Sequence, residues 1–166
     1  MVVYKRFLPV LLLSGILFVS ACTKNEELND QERARVDEQL IRDYVQRGNL
    51  TGVTRDNNSG VWYQLTDTTT YTDSPTVNTN SIVYVRYTGR LLDGSVFDQR
   101  TNASGFRVSS TIQGWQIALP SLLGKRGSMR LIIPSRLAFG KTVQPGIPAN
   151  SVVDYSLSID SVINAN

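Results

Sequence analysis

Around residue 155 the chain alternates strictly: Val153, Tyr155, Leu157 and Ile159 are apolar, and Asp154, Ser156, Ser158 and Asp160 between them are polar. A period of two puts the first set on one face of a β-strand and the second on the other, so one face is expected dry and one wet. The β-branched and aromatic runs "IVYVRYT" from Ile82 and "SMRLIIP" from Ser128 predict two further strands, and "LLDGSVF" predicts a turn at Asp93-Gly94 leading into another. A shorter strand is expected over Val61 to Thr66, followed by a polar, Thr-rich connection that ends near Asn80. Two segments read differently. From Asn29 to Gly48 the apolar residues Val36, Leu40, Ile41, Tyr44 and Val45 fall on one helical stripe, with Asn29 and Glu32 spaced as a capping box and Gly48 as the stop. That stripe needs cover, either from its own domain or from a second copy of the chain. "GWQIALPSLLGKRG" predicts a short helix, with Pro120 at a first turn or a bend. An antiparallel sheet with one short helix across a face is an α+β architecture.

Composition narrows this picture. At 166 residues and 41% hydrophobic content, the chain is sized for one globular core with an accessory segment. Its first residues, "MVVYKRFLPVLLLSGILFVSAC", join a basic start to an apolar run from Phe7 to Val19, the layout of a secretory leader. Such a run is too short to cross a hydrocarbon core, which takes about 20 helical residues. Val19-Ser20-Ala21-Cys22 resembles the lipobox of bacterial lipoproteins, with lipid added to Cys22 and cleavage before it. Cys22 is the single cysteine, so it has no partner for an intramolecular disulfide. The reading is therefore a signal peptide over 1–21, a tether over 22–30, a helical segment and linker over 31–60, and the main domain over 61–166 with its core at 77–163. Loss of Lys5 and Arg6 with the leader leaves 15 basic against 14 acidic residues. So even a balance offers no broad basic surface for nucleic acid. "KNEE", Lys24 to Glu27, loosely resembles the charged signal that sends some Bacteroidetes lipoproteins to the cell surface. The expected location is the cell envelope, lipid-anchored, at the outer membrane.

The chain contains no histidine. That removes Ser-His and Cys-His nucleophiles and the HExxH zinc site, and neither a GxxxxGK[ST] nor a GxGxxG phosphate cradle occurs. No cofactor and no metal are expected. What the dense region holds in quantity is apolar and aromatic: Tyr87, Phe97, Phe106, Ile112, Trp115, Phe139, Ile147 and Tyr155.

Four stretches, "VRYTGRLLDGSVFDQR", "IQGWQIALPSLL", "RLIIPSRLAFG" and "PGIPANSVVDYSLSID", occur in the order and approximate spacing of the FKBP-type peptidyl-prolyl cis-trans isomerases. With the lipobox and the leading helix, the whole resembles an FKBP-type lipoprotein of the Bacteroidetes sort. The resemblance implies a bent antiparallel sheet wrapped on one short helix. It also implies a pocket for the proline ring, floored by Trp115 and walled by Tyr87, Phe97 and Tyr155, with Phe106 at the rim. In that assignment the Ile112 N–H holds a substrate carbonyl, Asp98 is the pocket carboxylate, and Ile147 overhangs the site from the Gln144 to Pro148 turn. Asp98 has a second reading as a structural ion pair with Arg100 or Arg107.

The implied activity is isomerisation of Xaa-Pro bonds in exported polypeptides, with a weakly active binding or chaperone lipoprotein as the alternative. Rotation about Xaa-Pro needs no nucleophile, because the barrier of roughly 18–20 kcal/mol is amide resonance, which a dry pocket and a well-placed donor lower directly. Two departures from the family pattern stand out. The segment from Phe106 to Trp115 is about four residues short by comparison with the family, which implies a trimmed rim strand. Phe139 stands where tyrosine is usual, which removes a polar anchor worth about 1 kcal/mol.

Overall fold

The computed structural model describes residues 28–66, 76–122 and 127–164. The leader, Cys22, "KNEE" and most of the Thr-rich connection lie outside them.

Among the described residues, ten stretches of regular structure follow in order: α1 (Asp30–Arg47), β1 (Thr54–Arg55), β2 (Trp62–Leu65), β3 (Ile82–Leu91), β4 (Val96–Arg107), a 3-10 turn (Val108–Ser110), α2 (Gln113–Leu122), β5 (Ser128–Ile133), a second 3-10 turn (Ser135–Leu137) and β6 (Val153–Ile163). All strand pairs are antiparallel, in the order β1-β2-β5-β6-β3-β4. The expected α+β architecture, an antiparallel sheet with one short helix across a face and a further helix ahead of it, is the one observed. The sheet starts at Thr54, ahead of the expected domain boundary at 61.

One face of the sheet carries Val83, Val85, Tyr87, Met129, Leu131, Ile133, Val153, Tyr155 and Leu157, all buried, and α2 packs on it through Trp115, Ala118, Leu119 and Leu122. Each fully buried aliphatic side chain contributes about 1.5–3 kcal/mol. Gly114 lets α2 approach closely, since a Cβ there would sit 2.5 Å from Ile133 Cγ2. Pro120 lies in the last turn of α2, not its first. There it removes the bond its N–H would have made to the Gln116 carbonyl, and the helix ends two residues later.

The opposite face is covered as well, by α1. Its expected capping box is present, with Asn29 Oδ1 accepting from Glu32 N at 2.9 Å and Glu32 Oε2 accepting from Asn29 N at 3.1 Å. Ile41 is fully buried against Trp62, Ile132 and Val152, with Tyr44 and Val45 half-buried beside it. Val36 and Leu40 stay exposed at 37% and 40%, so only the C-terminal half of the predicted stripe meets the sheet.

The expected wet face of β6 holds at Ser156 and Asp160, which are exposed, but this third layer corrects it at Asp154. Asp154 is 1% exposed, because it lies beneath α1. Arg130 donates to both of its oxygens at 2.9 and 2.6 Å, and the Tyr44 hydroxyl donates to Oδ2 at 2.7 Å. Arg130 Nη2 also reaches the Tyr44 oxygen at 2.9 Å. A carboxylate so enclosed is tolerable because its charge is matched bidentately and Oδ2 accepts a second hydrogen bond.

Candidate functional site

Four elements bring the aromatic residues together. Tyr87 comes from the buried register of β3, Phe97 and Phe106 from the two ends of β4, Trp115 from the first turn of α2, and Tyr155 from β6. Trp115, 4% exposed, is the hub: the rings of Tyr155, Tyr87 and Phe106 meet it edge-on at centroid distances of 5.2, 5.4 and 6.3 Å. Edge-to-face contacts of this kind add about 0.5–1.5 kcal/mol each beyond burial and hold the rings at fixed angles. Gly89 makes room for them. A Cβ at that position would lie 2.7 Å from the Phe97 ring and 2.8 Å from Tyr155 Cε1.

These rings enclose an open cavity of about 190 Å³ lined by Tyr87, Phe106, Ser110, Thr111, Ile112, Trp115 and Tyr155. Five of the expected site residues therefore share one cavity. Phe97 and Phe139 form an adjoining wall, with Phe97 5.6 Å from Tyr155 and 6.3 Å from Phe139, both near-perpendicular. Asp98 does not line the cavity and reaches it through the Tyr87 hydroxyl, which donates to Oδ2 at 2.5 Å. Its Oδ1 is 3.7 Å from Arg100 Nη1, in a pair open enough to solvent to contribute little. Arg107 donates instead to the Asn80 carbonyl at 3.0 Å.

Ile147 is placed differently from the expectation of an overhang. It is 5% exposed within the main core cluster and does not line the cavity. The reason is a tight turn: Gln144 and Ile147 exchange both backbone bonds, at 3.0 and 2.9 Å, which folds the loop inward, and Gly146 packs against the Phe97 backbone side.

Ser110 and Thr111 were not anticipated as lining residues. They lie in the 3-10 turn and the residue after it, so β4 continues to Arg107 and the chain then turns directly into α2. The only signal in the sequence was the shortness of this very segment, which leaves no residues to carry it away from the site. Thr111 is held by its own hydroxyl, which donates to the Val108 carbonyl at 2.7 Å, and by Gln116 Nε2 donating to its carbonyl at 2.7 Å.

Three polar groups at the cavity lack partners. The Trp115 indole N–H is buried without an acceptor, and among the described residues neither the Ile112 amide nor the Tyr155 hydroxyl makes a hydrogen bond. Burial raises both phenols. Tyr87 is pushed up to about 12, first by burial and then by its bond to Asp98. Tyr155 is raised further, again chiefly by burial. Both hydroxyls are neutral near pH 7. The cavity is thus an uncharged aromatic cup with free donors at its wall, suited to a small apolar ring carrying an amide.

A larger cavity of about 540 Å³ lies on the other flank of α2, lined by Asp56, Asn58, Ser59, Val61, Tyr63, Ile117, Ala118, Ser121 and Leu122. It is half polar, and Tyr63 is its one aromatic lining residue. No group of three potential metal ligands comes together among the described residues.

Residues 74–160 match the family described as FKBP-type peptidyl-prolyl cis-trans isomerase. A peptidyl-prolyl cis-trans isomerase of Saccharomyces cerevisiae is 35% identical over 96 residues, covering 55% of this chain and 23% of the yeast protein. The FKBP-type peptidyl-prolyl cis-trans isomerase FkpA of Escherichia coli is 39% identical over 80 residues, 46% of this chain and 29% of FkpA. The matched segments thus span less than a third of these relatives. Among solved structures, a peptidyl-prolyl cis-trans isomerase from Pseudomonas syringae superposes with a TM-score of 0.63 at 25% identity, over 82% of this chain and 97% of that one. The crystal structure of FkpA from Escherichia coli gives 0.60 at 27% identity, over 84% and 76% of the two chains. With the family match covering half the chain and the same fold in both neighbours, this chain belongs to the FKBP-type peptidyl-prolyl cis-trans isomerase family.

Proposed function

We propose that the protein is a working peptidyl-prolyl cis-trans isomerase of the bacterial cell envelope, tethered by lipid on Cys22, which assists the folding of exported polypeptides. The observation that carries the activity is the cavity in which Tyr87, Phe106, Ile112 and Tyr155 converge on Trp115. A proline ring has the size and apolarity to rest on the indole between these walls.

The chemistry follows from the surroundings. A planar Xaa-Pro amide is charge-separated and well solvated, and its twisted form has lost that resonance. Moving the amide into an aromatic cup removes water from the ground state more than from the twisted state. The Ile112 N–H, free of any internal acceptor, holds a carbonyl of the bound segment and fixes the amide in the geometry from which it rotates. The Tyr155 hydroxyl is a second free donor. Lowering the barrier by about 5–8 kcal/mol corresponds to an acceleration of roughly 10⁴ to 10⁶-fold. No proton is transferred and no bond is made, which suits a site without a charged catalytic group in its lining.

Phe139 favours a second reading, a slow isomerase that serves mainly as a binding or chaperone module, because it offers the adjoining wall a ring without a hydroxyl. NMR exchange spectroscopy on an Xaa-Pro peptide separates the two. Faster cis-trans exchange with catalytic amounts of protein supports the enzyme, and peptide binding at the background exchange rate supports the module. The anchor is tested separately: mass spectrometry of protein from membranes should find acyl chains on Cys22, and Cys22→Ser should release the protein from them.

A further inference from the structure

Asp37 is fully buried and belongs to α1, outside the segment shared with the family. Its Oδ2 accepts two hydrogen bonds, from the Ser135 backbone N–H at 2.9 Å and from the Ser135 hydroxyl at 2.7 Å. Its Oδ1 has no hydrogen bond, and its salt-bridge partner, Arg33, is 4.0 Å away. Burial raises the carboxyl, while the Ser135 bonds and then Arg33 lower it. A carboxylate held this far from water is costly unless it is paired and hydrogen-bonded, and here the hydrogen bonds come from Ser135 alone.

Ser135 itself is 1% exposed and is the node of the loop that follows β5. Its carbonyl accepts from Ala138 N at 3.0 Å and from Gly140 N at 2.9 Å, so the two residues flanking Phe139 are both tied to it. Phe139 meets Phe97, and Phe97 meets Tyr155 on the cavity wall. We infer that Asp37 is a positioning residue for the proline pocket: through Ser135, helix α1 sets the loop that carries Phe139 and with it the aromatic wall of the site. The inference rests on the isomerase reading above. Tyr44, another polar anchor of α1, bonds Asp154 and Arg130 and not this loop, so it and Asp37 have different consequences.

The test compares Asp37→Ala, Asp37→Asn, Ser135→Ala and Tyr44→Phe in the full chain in detergent, well below the midpoint of unfolding of each variant. Exchange of one Xaa-Pro tetrapeptide gives kcat and KM, and the aromatic resonances of Phe97, Phe139 and Tyr155 are followed by NMR. Loss of a wall that binds the ground and twisted states alike raises KM about fivefold in Asp37→Ala and changes kcat by less than about twofold. Asp37→Asn, whose amide oxygen still accepts from Ser135, recovers most of this, Ser135→Ala falls between, and Tyr44→Phe lowers stability with KM unchanged. An Asp37→Ala protein that is folded and has the wild-type KM overturns the inference while leaving the isomerase reading intact. Should that variant not fold, Ser135→Ala with a wild-type KM overturns it equally. A wild-type protein without activity overturns the isomerase reading. In that case the positioning role stands or falls on whether the Phe97 and Phe139 resonances shift in Asp37→Ala and stay in place in Tyr44→Phe.

Discussion

The Tyr87 hydroxyl donates to Asp98 Oδ2 at 2.5 Å, joining β3 to β4 beside the cavity. It gives the pocket a polar seam whose ends are a buried phenol and a half-exposed carboxylate. Tyr87 ionises near 12 because burial and then Asp98 disfavour the phenolate. A folded-state value above the ordinary 10.0 means that the contribution of this group to stability is complete below pH 10 and is lost as pH rises from 10 through 12. Titration at 295 nm should show a late tyrosinate component that moves to lower pH in Asp98→Asn, toward but not reaching the ordinary value. An unmoved component would show that burial alone sets it.

Phe139→Tyr should tighten binding of an Xaa-Pro peptide. Its ring stands on the wall next to Phe97, and a hydroxyl there restores one hydrogen bond worth about 1 kcal/mol, or roughly fivefold in Kd. Isothermal titration with wild type and variant measures it; equal affinities would mean that the hydroxyl finds no acceptor on the peptide.

Gly89→Ala places a methyl group within 2.7 Å of Phe97 and 2.8 Å of Tyr155, which forces both rings off their positions. The expected loss is about 1–3 kcal/mol of stability, together with a fall in kcat/KM larger than the unfolded fraction explains. Urea unfolding followed by activity at equal folded concentration separates these effects.

Asp154→Ala leaves Arg130, half-buried beside α1, without its charge partner, and should cost about 2–3 kcal/mol. The triple change Arg130→Met, Asp154→Leu, Tyr44→Phe removes every polar member at once and should recover most of that loss. Thermal unfolding of both proteins decides it, and equal midpoints would mean that the cluster is held by its packing alone.

Much of the fold around this cavity is legible in the sequence, and the reason is local. Trp115, Tyr87 and Tyr155 sit at alternating or helical positions whose direction is set by period, so their convergence on one core follows from the strands and α2 that carry them. Asp154 was misread for the same reason: alternation says which face it shares with Ser156, but not that α1, more than a hundred residues earlier in the chain, lies over its end of that face. Asp37 is not legible in the sequence, because a carboxylate inside a polar helical run resembles any solvated position and its partner Ser135 is 98 residues away. The sequence puts Ile147 on a turn, but the direction in which a turn folds depends on what packs behind it, here Phe97 behind Gly146.

The strand order has a practical meaning for anyone who would isolate the segment that resembles the family. Cutting before residue 74 removes β2, whose Trp62 to Leu65 pair with Met129 to Ile132 of β5. Strand β5 would then be a bare margin, with the run Leu131-Ile132-Ile133 presenting unpaired amides and carbonyls to solvent. An apolar margin of that kind is a template for strand addition between molecules. Strand β2 therefore shields β5 from further copies of the chain, and a fragment that keeps both this strand and α1 begins before Asn29, not at the start of the shared segment.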